Sequence, residues 1–284
     1  MTERMIAVAS AEICAESFGD PADPAVLLIM GAMAPMTRWD ADFCGQLADR
    51  GRFVIRYDHR DTGRSTCYAP GAPEYSISDL VDDAAAVLDA YDVVAADVVG
   101  MSLGGMVAQR LAIRHPERVR SLLALSTMAW ATELPDDPIS NDAFDAHMGA
   151  LETLDWSDRT AVVDWLVGQW RLLTGATFVF DADRSRRLAE LDFDRSRNIA
   201  SMTNHAVMGE GVAPEETLDL IQAPILVVHG TGDPLIPLSF GRSLADAVGC
   251  ELVELDGAGH DLHEDNWPLL LDLIVGRGAP APHA

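Results

Sequence analysis

In Gly100-Met101-Ser102-Leu103-Gly104 a serine stands between two glycines, after the apolar run Asp97-Val98-Val99 and ahead of a helical run that opens at Leu103. A strand that turns sharply into a helix exposes the hydroxyl at the turn, and the glycines let the turn close tightly. The bland alternative is a serine that caps the helix between packing glycines. A serine hydroxyl is a weak nucleophile at neutral pH, so it needs a base within hydrogen-bond reach and a carboxylate to orient that base.

Eight histidines compete for the role of base. His59 sits in an arginine-rich loop, His115 ends a helix before Pro116, His229 ends a strand, and His283 lies in the tail. His147 and His205 fall in a helical block and His263 in the first turn of the last helix, whereas His260 closes the glycine-flexed loop Asp256-Gly257-Ala258-Gly259-His260. That loop lets a side chain reach back over the strand ends, which makes His260 the candidate base. Asp233, in His229-Gly230-Thr231-Gly232-Asp233-Pro234, is the candidate acid; the loop after Leu125 offers no carboxylate before Glu133. The order Ser102, Asp233, His260 suits acyl transfer, which also needs donors for a developing oxyanion. The backbone N–H groups of Leu103 and of Ala32, the latter in the loop begun by Met30-Gly31, are the candidates.

The elements that would position these residues follow from the pattern of apolar runs. Strand-like runs at 25–30, 53–57, 96–99 and 119–125 alternate with helical patterns at 41–50, 78–91 and 103–115. After a helical block the alternation resumes: strands at 225–229 and 251–255, helices at 238–248 and 264–275. Alternation of this kind predicts an α/β fold: a mostly parallel sheet with helices on both faces. From Met128 to about Leu220 no strand pattern appears, while 160–173 reads as a helix. Residues 1–127 and 221–284 are therefore expected to form the core, with 128–220 inserted as a helical cap. Met5 to Ala9 reads as a strand rather than a signal peptide, and the tail 278–284 as frayed.

Composition narrows the chemistry. The 284 residues carry 20 basic and 45 acidic side chains, a net charge of −25, and all 20 bases are arginine. Without lysine there is no phosphate-binding P-loop and no Schiff-base catalysis. The acidity argues against nucleic acids and anionic membranes as partners. No apolar stretch reaches the length of a membrane helix. Cys14, Cys44, Cys67 and Cys250 lack metal or redox spacing and are expected as reduced thiols, in keeping with a cytoplasmic protein.

With these residues in place the chain resembles the α/β-hydrolase family over nearly its whole length. Phe18-Gly19-Asp20-Pro21-Ala22-Asp23-Pro24, the Met30-Gly31 loop and Tyr57-Asp58-His59-Arg60-Asp61-Thr62-Gly63-Arg64-Ser65-Thr66 are similar to the aclacinomycin methylesterases and related polyketide methylesterases. The resemblance implies a cofactor-independent hydrolysis of a carbomethoxy group through Ser102, Asp233 and His260. Where the family most often has His-Gly, this chain has Met30-Gly31, which keeps the backbone donor and loses a histidine. Dehalogenases and epoxide hydrolases of this fold use an aspartate where Ser102 stands, and hydroxynitrile lyases rely on a lysine. Cofactor-free haloperoxidases usually carry an aromatic residue at the position of Ala32. General carboxylesterases and carbon–carbon bond hydrolases share the triad and stay open, as does a ligand receptor or cyclase with an idle triad.

The cap holds Trp130, Trp156, Trp165 and Trp170 with Met128, Met148, Met202 and Met208. Aromatic and thioether side chains suit a wide apolar pocket for a bulky, polyketide-like ester, or else form the core of the cap itself. Met101, Met128, Trp130, Trp165 and His205 are the candidate substrate contacts. A small-molecule ester is the expected partner, and a monomer or homodimer the expected state.

Overall fold

The computed structural model describes residues 3–277 apart from 131–132, 176 and 212–214; the expected frayed tail and His283 lie outside the described residues. The first half runs β1 (Arg4–Ala7), β2 (Glu12–Phe18), β3 (Ala25–Ile29), α1 (Ala41–Ala48), β4 (Phe53–Tyr57), α2 (Ile77–Ala90), β5 (Ala96–Met101), α3 (Leu103–Arg114) and β6 (Val119–Leu125). The helices α4 (Asp142–Gly149), α5 (Arg159–Leu173) and α6 (Ala182–Arg195) follow, and the chain ends with β7 (Ile225–Gly230), α7 (Leu238–Val248), β8 (Glu251–Leu255) and α8 (Trp267–Arg277).

The sheet has eight strands in the order β1-β2-β4-β3-β5-β6-β7-β8. β1 and β2 are antiparallel to their neighbours and the remaining pairs are parallel. Every residue of β3 and β5 is buried, as continuous apolar runs in a sheet covered on both faces should be. One face packs Leu80, Val107 and Leu111 from α2 and α3 against the sheet; the other packs Phe43, Trp267 and Leu271 from α1 and α8. No helix among the described residues is long and apolar enough to cross a membrane.

β2 is the strand that the apolar pattern does not announce, because Glu16 lies inside it. Its carboxylate is buried against Arg56, its register partner on β4, at 2.6 Å. The charge is affordable only through that cross-strand pair, which no local pattern reveals.

Between β6 and β7 the chain adds no strand to the sheet among the described residues. Helices α5 and α6, with the short helical turn Ile199–Ala206, build their own small core from Val162, Val163, Trp165, Leu166, Ala189 and Met202. Each begins where an aspartate accepts first-turn N–H groups, Asp158 for α5 and Asp181 for α6. The block is fastened to the sheet by buried ion pairs, Arg195 with Asp58 at 2.7 Å and Arg38 with Asp192 at 2.5 Å. It is also fastened by the backbone N–H of His260, which donates to the Leu173 carbonyl at the end of α5 at 2.6 Å.

Candidate active site

Ser102 occupies the junction of β5 and α3 with φ 54° and ψ −123°, a conformation that costs a non-glycine residue about 1–3 kcal/mol. The surroundings hold it there. Its N–H donates to Leu125 O at 2.9 Å, and its carbonyl accepts from the Thr127 hydroxyl at 2.7 Å. A methyl group on Gly104 would lie 2.2 Å from the Ile29 carbonyl oxygen and 2.6 Å from that of Met30. Only glycine lets α3 approach β3 this closely, and the approach brings the Met30-Gly31 loop to the serine: a Cβ on Gly31 would lie 3.1 Å from the Ser102 Cβ.

Asp233 and His260 stand in the loops after β7 and β8. His260 Nδ1 donates to Asp233 Oδ2 at 2.7 Å, while Asp233 Oδ1 accepts the N–H groups of Leu235 and Ile236 at 2.9 and 2.8 Å. Burial alone would raise the Asp233 carboxyl; His260, that hydrogen bond, His229 and the Ile236 N–H outweigh it and hold the group below the usual carboxylate range. With Nδ1 committed to Asp233, the lone pair of His260 is on Nε2. His260 and Ser102 line one cavity of about 150 Å³, and the Ser102 hydroxyl makes no hydrogen bond among the described residues.

The loop from Met30 to Met36 is held by residues far away in sequence. His59 Nε2 donates to Met30 O at 2.9 Å, the Met33 N–H donates to His205 Nδ1 at 2.8 Å, and Asp58 accepts from the Met36 N–H at 2.9 Å. His205 is itself fixed by donating from Nε2 to Arg60 O at 2.8 Å. Burial lowers the pKa of both histidines, with His205 adding to the effect at His59, which falls to about 3. Both rings are therefore neutral, each using the tautomer that these bonds require. The N–H of Ala32 has no acceptor among the described residues. The N–H of Leu103, first in its helix, has none within the helix, as α-helical geometry dictates.

Of the five side chains expected at the substrate, Met101 lines the cavity and the other four do not. Trp130 packs on the opposite face of the sheet under the Arg110 guanidinium, 4.3 Å from its ring. Trp165 sits in the core of the helical block, stacked 4.8 Å from His147. His205 spends both ring nitrogens on the backbone, and Met128, whose carbonyl accepts from Gln109 at 2.9 Å, is not among the lining residues. The wall is completed by Phe144 and Met148 of α4, Gln169, Trp170 and Leu173 of α5, and Leu235. Gln169 and Leu173 lie one turn apart, so a polar residue in register with the apolar face of α5 was the available signal.

The family model for the alpha/beta hydrolase fold matches residues 24–266. The chain belongs to the α/β-hydrolase family. It is 35% identical over 278 residues to the rhodomycin D methylesterase DauP of Streptomyces sp. strain C5, covering 92% of this chain and 93% of that one. The rhodomycin D methylesterase DnrP of Streptomyces peucetius is 34% identical with the same coverage. Among solved structures, a 2-hydroxy-6-oxo-6-phenylhexa-2,4-dienoate hydrolase of Rhodococcus sp. strain RHA1 shares the fold, with a TM-score of 0.76 at 20% identity over 97% of this chain and 98% of that one.

Proposed function

We propose that the protein hydrolyses the methyl ester of a bulky, polyketide-like acid through a serine acyl-enzyme. The observation that carries this reading is the buried Asp233–His260 pair at 2.7 Å, opening onto the cavity where Ser102 is held in its strained turn. The methylesterase names of two relatives that align with almost the whole chain support the choice of ester.

In the proposed cycle Ser102 Oγ attacks the ester carbonyl carbon and gives its proton to His260 Nε2; Asp233 stabilises the imidazolium. The oxyanion accepts from the N–H groups of Ala32 and Leu103. As the carbonyl reforms, the C–O bond to the alkoxide breaks, and His260 returns the proton so that methanol leaves. A water then gives a proton to His260 and its oxygen to the acyl carbon, and the acid departs with Ser102 restored. The Ser102 hydroxyl, which has no hydrogen-bond partner among the described residues, pairs with His260 Nε2 in the reacting complex. Residues 128–220 act as the cap over the acyl group, with Phe144, Met148, Gln169, Trp170 and Leu173 of its helices on the cavity wall. The buried reduced thiols of Cys14 and Cys44 support a cytoplasmic setting.

The test is incubation of the purified protein with rhodomycin D and with p-nitrophenyl acetate, followed by mass spectrometry, with Ser102→Ala as control. Loss of the methyl group from rhodomycin D, abolished in the control, is expected. Hydrolysis of the simple ester alone would refute the bulky-ester assignment, and turnover by Ser102→Ala would refute the nucleophile.

A further inference from the structure

Two glutamines are buried in this protein, and they are treated differently. Gln109, fully buried on α3, satisfies its amide completely: Nε2 donates to Gly105 O at 3.1 Å and Met128 O at 2.9 Å, and Oε1 accepts from the Trp130 N–H at 2.9 Å. Gln169, 7% exposed on α5, has no hydrogen-bond partner for its amide among the described residues, and it lines the cavity beside Ser102 and His260.

Its position is fixed. One turn further along α5 the Leu173 carbonyl accepts the backbone N–H of His260 at 2.6 Å, and the next residue, Thr174, donates its hydroxyl to Asp261 at 2.8 Å. The end of the helix that carries Gln169 is thus tied to the loop that carries the candidate base. The rest of the cavity wall is glycine, alanine, methionine, leucine and phenylalanine, with the indole of Trp170 packed under Arg38 at 4.3 Å. Apart from that indole, Ser102 and His260, the Gln169 amide is the only side-chain hydrogen-bonding group lining the cavity among the described residues. The residue as a whole is nine-tenths buried, yet its amide atoms are not sealed off, so it presents a hydrogen-bonding end where a leucine at the same helical position would present only methyl groups.

The geometry points to Gln169 as a specificity-determining residue that hydrogen-bonds an oxygen substituent, a hydroxyl or a ring carbonyl, on the carbocyclic skeleton of the acyl group. The inference rests on the ester-hydrolase reading and adds to it the side chain that reads an oxygen substituent on the acyl group. The amide offers both a donor and an acceptor, so it serves a hydroxyl through Oε1 and a ketone through Nε2.

The experiment uses a panel of methyl esters of one tricyclic carboxylic acid: the unsubstituted ester, and isomers with a single hydroxyl or ketone at each ring carbon in turn. Turnover by the wild type is compared with Gln169→Leu and Gln169→Glu, and binding is measured by calorimetry in each background with Ser102→Ala added. The wild type is expected to favour at least one hydroxy isomer and one keto isomer over the parent by about tenfold in kcat/KM, mostly through KM. Gln169→Leu should bring both ratios near one. Gln169→Glu, which keeps an acceptor and loses the amide donor, should keep the hydroxyl preference and lose the ketone preference. Circular dichroism establishes that each variant folds, and Gln169→Glu restores polarity should the leucine variant unfold. Ratios that survive in Gln169→Leu, or a wild type with no preference in turnover or binding, would overturn the inference. If no ester is hydrolysed by the wild type, the ester-hydrolase reading fails, and the dissociation constants decide the role of Gln169 separately.

Discussion

Gly104→Ala is the substitution that best separates geometry from sequence habit. In an exposed helix the change is worth about 1 kcal/mol in favour of alanine. Here the added methyl group would sit 2.2 Å from the Ile29 carbonyl oxygen and 2.6 Å from that of Met30, both backbone atoms that cannot swing aside. To reach ordinary contact, α3 and β3 must part by about 1 Å, and overpacking of this kind costs about 1–3 kcal/mol or somewhat more. The net expectation is a loss of about 2 kcal/mol. With an unfolding entropy of roughly 0.6 kcal/mol per degree for a chain of 284 residues, Tm should fall by about 3 °C. The displaced atoms belong to the strand and loop that deliver Ala32, and a misplacement of about 1 Å at reacting groups costs up to roughly a hundredfold in rate. Activity should therefore fall far more than stability. Gly45→Ala in α1, where a Cβ would meet nothing within 4 Å, is the control and should raise Tm by 1–2 °C, about 1 kcal/mol, with kcat unchanged. Calorimetric scans with initial rates on an ester read both quantities. A Gly104→Ala protein with wild-type Tm and kcat would refute the claim that this contact sets the distance between Leu103 and Ala32.

Replacing Asp233 with asparagine removes the charge that orients His260 and should lower kcat by about four orders of magnitude while circular dichroism is unchanged; a loss below tenfold would exclude the pairing from catalysis. Removing Arg195 as Arg195→Met strands the fully buried Asp58 carboxylate; about 3–5 kcal/mol should be lost and Tm should fall by roughly 5–8 °C, partly recovered in the double variant with Asp58→Asn. Burial raises the Asp261 carboxyl above its unfolded value of 3.8, and Oδ1 has no partner. Such a group favours the folded state when protonated and loses that contribution as pH rises through its folded pKa. Asp261→Asn should accordingly raise Tm relative to the wild type at pH 8, with an advantage that shrinks as pH falls toward 4; a constant difference across that range in thermal scans would contradict it.

Much of the fold was legible because each signal was local. The helix over 238–248 and the strands over 53–57, 119–125 and 251–255 fall where the apolar runs put them: the inner strands are almost wholly buried and mostly apolar, while the half-exposed edge strand over 251–255 still shows Leu252, Val253 and Leu255. The positions of Ser102, Asp233 and His260 were readable for a related reason: each stands in a glycine-marked turn at a strand end. What could not be read depends on contacts far apart in sequence. His205 carried the signature of a polar pocket residue, yet it meets Met33, 172 positions away, and serves the backbone. Trp130 and Trp165 were plausible pocket walls by type alone; which way a tryptophan faces follows from how the helices pack, as the stacking of Trp165 on His147 shows. β2 escaped notice because Glu16 makes sense only opposite Arg56.

The central claim is that Ser102 carries the acyl group during turnover. Rapid quenching of the reaction with p-nitrophenyl acetate, followed by intact-mass and peptide mass spectrometry, tests it most directly. The expected result is one acetyl group per chain, located on the peptide containing Ser102 and absent in Ser102→Ala. Full ester turnover without an adduct at Ser102, or an adduct elsewhere that forms and decays at the rate of turnover, would contradict it.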